Sequence, residues 1–307
     1  VEDTNVYRTF TLLLISLLIT GSVIGIIVPA GLGWDFANFY DAGRKAAAGE
    51  IDNLYDSSAF IDGNPPQGSL KFYGAPISAY LYAPFAMFKP ETALILFKIQ
   101  STVCLFFALL ILYFENKRST DRSGKNPWQF AALFTFLALI FQPFWSIYRV
   151  GGQTTPLVLL LFTGSLYFYV RSRDFLSSLL MSLAVLIKPA FGISFAFLLS
   201  VSGQSFLKKS VFGILIFLLI SLSLAGWEIH KKFLIQMLAG MKTTYAWYYN
   251  SSIYQPLETL HDLKSPIYAY LLLLSRLSVF ASILIWLFRS RKLTCRSGQK
   301  HFKFLLA

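Results

Sequence analysis

The chain has 307 residues, 55% of them hydrophobic and 14% charged, with a mean hydropathy of +0.57. Soluble domains carry about 25% charged residues, so a water-soluble fold is excluded and a polytopic membrane protein is implied. The formal net charge of +12 does not point to nucleic acid, because the basic residues lie in short segments beside apolar runs, where the positive-inside rule puts them.

Residues 10–30 form the first predicted span, ending at Pro29-Ala30-Gly31. Gly31-Leu32-Gly33 is a weak cleavage site and the run lacks a strong basic start, so it reads as a retained helix. Residues 31–75 follow as a long polar loop. It contains Asp35, Asp41, Glu50, Asp52, Asp56 and Asp62, six of the fifteen acidic residues. Residues 76–88 are apolar but short, with Pro76 and Pro84 inside, whereas a span needs about 20 residues. Later spans are expected at 92–114, 128–147, 153–170, 175–188, 189–202, 211–227 and 266–288. The pair 175–188 and 189–202 reads either as two tight spans or as one broken hairpin around Lys188-Pro189.

Charge sets the expected topology. Glu115 to Lys125, Arg171-Ser172-Arg173-Asp174, Lys208-Lys209 and the tail from Arg289 to Lys303 are all net basic and belong in the cytoplasm. The 31–75 loop has six acids against Arg44, Lys45 and Lys71 and belongs outside. One assignment satisfies all five segments: 76–88 is a lateral helix that does not cross, and 175–202 crosses twice. The expectation is an all-α, single integral membrane domain over 1–307. It has about eight transmembrane helices, both termini cytoplasmic, an external loop 31–75 carrying interfacial helices, and a basic cytoplasmic tail 289–307. Three polar sets then meet on the external face: the first loop, the turn Tyr148 to Gln153 with Lys188 near the same level, and the loop 228–265.

Asp35 is the leading candidate for chemistry. It lies just beyond the first span, between Trp34 and Phe36, near enough to the bilayer to meet a lipid headgroup. If 35–48 is a helix, Asp35, Phe39 and Ala42 share one face. A carboxylate in a low-dielectric pocket can act as a general base, and an Asp at a helix start also serves as an N-cap. Both readings stand. Asp41 reads as a local ion pair with Arg44 or Lys45. Lys188 ends an apolar run, where a cation either meets a phosphate or snorkels to the headgroups. Arg149 and Gln153 flank Gly151-Gly152, which suits either close approach of a ligand or an ordinary turn. Trp247, Tyr248 and Tyr249 fit a sugar-stacking surface or an interfacial aromatic belt. His230 and His261 are isolated, and Cys104 and Cys295 form no metal or disulfide framework.

The order of motifs carries a resemblance. The first span is followed by Asp35-Phe36-Ala37-Asn38-Phe39-Tyr40-Asp41-Ala42-Gly43-Arg44, then Gly49 and Leu54-Tyr55-Asp56. Next come Phe72-Tyr73-Gly74-Ala75-Pro76, Ala83-Pro84-Phe85, Gly151-Gly152-Gln153 and Leu186-Ile187-Lys188-Pro189. Over about residues 8–265 the chain resembles the bacterial polyprenyl-phosphate-mannose-dependent membrane glycosyltransferases, which include the mannosyltransferases of phosphatidylinositol mannoside assembly. Where that family tends to read Tyr-Pro-Pro, this chain reads Tyr73-Gly74-Ala75-Pro76. The family usually has two or three more spans after the region matching 266–288, so a compact or truncated member is expected.

The resemblance implies a C-type membrane glycosyltransferase fold in the bacterial inner membrane. It implies inverting, metal-independent hexosyl transfer from a polyprenyl-phosphate sugar to a lipid or glycan acceptor on the external face, with no cofactor. It makes Asp35 the catalytic base. Candidate substrate-binding residues are Tyr40, Asp41, Arg44, Tyr73, Arg149, Gln153 and Lys188; Lys188 or Arg149 is assigned to the donor phosphate by chemistry and position. Rival classes are a lipid-linked sugar flippase, which should show an internal repeat with paired broken helices, and an inactive accessory subunit.

Overall fold

A computed structural model describes residues 2–28, 34–56, 72, 74–123, 126–140, 145, 148, 153–188, 192, 195, 198 and 204–240. Among these residues there are α-helices and two short 3-10 helices, and no strand. The α-helices are α1 (Glu2–Ile27), α2 (Trp34–Ala48), α3 (Pro76–Tyr82), α4 (Pro90–Ser123), α5 (Pro127–Ile140), α6 (Thr155–Val170), α7 (Asp174–Ile187) and α8 (Gln204–Gly240). The 3-10 helices are Ile51–Asn53 and Ala83–Met87. The expected spans 189–202 (apart from three residues) and 266–288, and the tail 289–307, lie outside the described residues.

Three helices contain stretches long and apolar enough to cross a membrane: Thr4–Ile27, Pro90–Arg118 and Phe206–Met237. The described residues are therefore all-helical and have the character of a membrane protein. Helices α5, α6 and α7 are apolar but shorter, with 14, 16 and 14 residues. At 1.5 Å per residue each covers only about 21–24 Å of a hydrocarbon core about 30 Å thick. In the bundle α6 packs against α7 and α4, α1 against α5, and α7 against α8. Small polar residues fasten these contacts, as is common where lipid removes the hydrophobic drive. The Ser165 hydroxyl bonds the Ser177 carbonyl at 2.8 Å, and Thr11 donates to the Trp128 carbonyl at 3.2 Å.

The expected first loop contains a packed layer. Phe36, Tyr40, Ala42, Leu54, Tyr55, Phe72, Ala79, Tyr82 and Phe97 form one buried cluster that also takes in Ala225 and Ile229 of α8. Helix α2 can lie this close to α3 because residue 43 is glycine. A Cβ there would collide with the Tyr82 carbonyl and the Ala83 nitrogen. The 76–88 segment is a helix of seven residues followed by a 3-10 helix of five, together about 20 Å long and too short to cross.

Two expected boundaries are corrected. Residues 228–240 belong to α8 and not to a loop. The four polar residues Glu228, His230, Lys231 and Lys232 suggest a loop, but this part of α8 packs on the layer just described. Ile229 is buried in its cluster, Lys232 donates to the Asp52 carbonyl at 2.7 Å, and Gln236 donates to the Phe72 carbonyl at 2.7 Å. Likewise α4 runs on through the charged segment after Glu115 to Ser123. Between its two parts α8 kinks at Gly226, where φ is 72°, a conformation that favours glycine. The kink is stitched by Tyr80, whose hydroxyl donates to the Leu224 carbonyl at 2.7 Å. His230 bonds through Nδ1 to the Gly226 carbonyl at 2.7 Å and through Nε2 to the Ser221 hydroxyl at 2.8 Å.

The ends of the bundle differ in kind. At one end Arg171 meets Glu115 at 2.6 Å and Lys209 meets Asp174 at 2.9 Å. Three of the four basic segments of the sequence therefore sit together. At the other end the C-terminus of α7 and the N-termini of α2 and α6 converge. Nearby, buried Lys98 of α4 donates to the Gly25 carbonyl of α1 at 3.0 Å, where a cation satisfies carbonyls left over at a helix C-terminus.

Candidate active site

Asp35 lies in the first turn of α2, inside the helix, not on the residue before it. Phe39 and Ala42 follow on the same face. Phe39 stacks on Tyr82 with ring centroids 4.8 Å apart, and Ala42 is buried, so that face is pinned and the half-buried Asp35 carboxylate is held at its end. Gln153 donates its side-chain amide to Asp35 Oδ2. The two are 118 residues apart in sequence, so this contact brings together two of the predicted site residues.

Gln153 precedes Thr154, the N-cap of α6, and Thr155, its first residue. Pro156 follows with its ring already set for a helical first turn. Thr154 makes no capping bond to its own helix; its side chain lies beside the Tyr82 phenol. The Thr155 hydroxyl accepts from Lys188 Nζ at 2.9 Å. Lys188 is the C-cap of α7, with extended backbone at φ −138° and ψ 92°, as expected for a residue before proline. The C-terminal end of α7 favours its positive charge. Asp35 and Lys188 interact electrostatically but form no direct ion pair.

Burial pushes the Asp35 carboxyl above the usual carboxylate range; Lys188 and the Gln153 amide pull the other way without cancelling it. The site thus combines a carboxylate that is costly to ionise, a cation within its field, and the N-termini of α2 and α6, which favour negative charge. Such a set can accept a proton and bind an anionic group.

The remaining predicted residues lie apart from this set or outside the described residues. Tyr40 donates its hydroxyl to the Phe88 carbonyl at 2.8 Å. Asp41 pairs with Lys45 at 3.0 Å, with both side chains at most 7% exposed. Arg44 is half exposed and lies 3.4 Å from Asp41 and 3.7 Å from Glu50. The local ion pair expected for Asp41 is thus formed. Tyr73, Arg149, Gly151, Gly152, Trp247, Tyr248, Tyr249 and His261 are outside the described residues. Sequence reading missed Thr154, Thr155 and Tyr82. The signal was present in Thr154-Thr155-Pro156, a helix start directly after Gln153, which puts two hydroxyls at the level of the predicted site.

The described residues thus form a helical membrane bundle with a carboxylate and a lysine gathered at one end. The comparison with known families is more specific. A model of glycosyltransferase family 87 matches residues 72–305, about three quarters of the sequence. The chain belongs to glycosyltransferase family 87, and it is a membrane glycosyltransferase by family. No curated protein and no solved structure matches it. The matched stretch includes Gln153, Thr155 and Lys188 and begins after Asp35. Asp35 is tied to it by the hydrogen bond from Gln153.

Proposed function

We propose that the protein transfers a hexose, with mannose the first candidate, from a polyprenyl-phosphate sugar to a lipid or glycan acceptor on the extracytoplasmic face of a bacterial inner membrane. The observation that carries this reading is the convergence of Asp35, Gln153 and Lys188, from three distant segments, at the bundle end opposite the paired basic segments. The positive-inside rule puts the basic end in the cytoplasm and the site outside, with the chain as one integral membrane domain of C-type fold.

In the proposed reaction the Asp35 carboxylate takes the proton of an acceptor hydroxyl. The hydroxyl oxygen attacks the anomeric carbon from the face opposite the phosphate, a new C–O bond forms, and the bond from the anomeric carbon to the phosphate oxygen breaks. The sugar is inverted and polyprenyl phosphate leaves with the bonding pair. Lys188 meets the charge that develops on the phosphate, so no metal is invoked, and Arg149 is placed by sequence near the same level. Gln153 orients the base. The proton on Asp35 returns to water afterwards. Tyr40, Asp41 and Arg44 bear on the substrate only through the shape and charge of α2, and Tyr73 stays a candidate for the sugar side.

The test uses membranes with wild type or Asp35→Asn at matched expression, supplied with polyprenyl-phosphate-[¹⁴C]mannose. Label should enter lipid or glycan with the wild type and fall by about 10²–10⁴-fold in the variant. Activity should fall on the acid side through a limb above the ordinary carboxylate range, because the base is protonated below its raised pKa. Equal transfer by both proteins would remove Asp35 as base. Label that crosses the membrane unchanged would favour a flippase.

A further inference from the structure

Two opposite charges share the site, yet they do not touch. Asp35 is held by Gln153 and Lys188 by Thr155, so both neutral partners come from one three-residue segment at the start of α6. Thr154 between them lies beside Tyr82. A lysine side chain is long and rotatable, and a half-buried carboxylate in its field is the partner it would otherwise seek. Elsewhere in this chain acids and bases close directly: Asp41 with Lys45 at 3.0 Å, Glu115 with Arg171 at 2.6 Å, and Asp174 with Lys209 at 2.9 Å. The site differs from these three pairs in that its two charges stay on neutral partners.

We infer that Gln153 and Thr155 are positioning residues, a built-in spacer that keeps Asp35 and Lys188 from closing into an ion pair and so preserves a gap for an acceptor hydroxyl and a donor phosphate. This rests on the reading of Asp35 as the base. A closed pair would fail twice. The carboxylate would be stabilised in its charged form and become a weaker base. The ammonium would be occupied and less able to receive phosphate. Thr155 prevents this by giving Lys188 a neutral acceptor, which leaves its charge in place. Gln153 prevents it by occupying Oδ2 while Oδ1 stays available to a hydroxyl. The charged group facing Asp35 among the described residues is Lys188, at the end of α7. From α6 the neutral Gln153 approaches, from α3 the phenol of Tyr82 lies beyond Thr154, and on α2 itself Asp41 is neutralised by Lys45. Arg149 lies outside the described residues.

The experiment compares full-length wild type, Thr155→Val and Thr155→Ser in membranes, with Thr155→Ala where valine is not accommodated. Infrared difference spectroscopy reads the protonated carboxyl band that disappears in Asp35→Asn, as a function of pH, and needs no turnover. The expected result is an Asp35 midpoint moved to lower pH in Thr155→Val or Thr155→Ala, because the released lysine closes on the carboxylate, and restored in Thr155→Ser. In the transfer assay the acid limb should move the same way, with a rise of about tenfold in donor KM, the size of one charge-assisted hydrogen bond. An unchanged midpoint in a folded Thr155→Val protein would overturn the inference. So would an equal shift in the serine variant, since a merely structural role for the side chain would not be rescued by its hydroxyl. Lack of transfer by the wild type would count against the proposed function, and the infrared midpoint would still decide the spacer.

Discussion

The two ends of the bundle treat charge in opposite ways. At the basic end, Glu115–Arg171 and Asp174–Lys209 are closed pairs at 2.6 Å and 2.9 Å; these are fasteners between helix ends. At the other end Asp35 and Lys188 are kept apart, each on a neutral side chain of the α6 start. Paired charges contribute a little stability and no reactivity. Separated ones cost stability, because each is partly stripped of water without full compensation, and they retain the ability to react. The same residue types thus mark a joint at one end and the proposed site at the other, and whether the partners close on each other tells them apart.

Substitutions at each end sharpen that contrast. Lys188→Met removes the separated cation and should lower kcat/KM for the donor by about a hundredfold, as for loss of one group that meets developing charge. Steady-state transfer with varied donor would measure it, and a change under twofold would assign Lys188 to snorkelling. Gly43→Val acts on the support of Asp35. The added side chain meets the Tyr82 carbonyl, so α2 must shift, at a cost of about 1–3 kcal/mol. Thermal unfolding in detergent should show that loss together with reduced transfer, while an unchanged melting temperature would mean that α2 and α3 are not held so closely. Lys209→Met breaks a closed pair whose lysine is 41% exposed. It should cost under about 1 kcal/mol and leave transfer unchanged; a large loss of activity would break the comparison.

Asp35, Gln153 and Lys188 were legible in the sequence because a polar group at the end of an apolar run stands out. Their mutual arrangement was not, since it depends on which helix ends share a level, and charge bias across the segments supplied that only coarsely. Thr155 was passed over although Thr154-Thr155-Pro156 marks a helix start, because threonine at the start of an apolar helix is ordinary and does not announce a distant partner. The C-terminal part of α8 was misread because Glu228, Lys231 and Lys232 are exposed while Ile229 and Phe233 are the apolar residues that reach the buried cluster. Two apolar positions one turn apart among charges are a weak period. In segment 76–88 two prolines and a short length limit what can form, and a seven-residue helix and a 3-10 helix are what is found.

Lys98 bears on the order in which such a chain is made. Its ammonium is buried against carbonyls at the end of α1, and α1 leaves the ribosome before α4. When α4 enters the membrane its charge has acceptors already waiting, so the later helix is docked by the earlier one. Residue 35 lies between these two helices in sequence, so it is synthesised before Gln153 and Lys188. The proposed base thus precedes in synthesis the groups proposed to tune it.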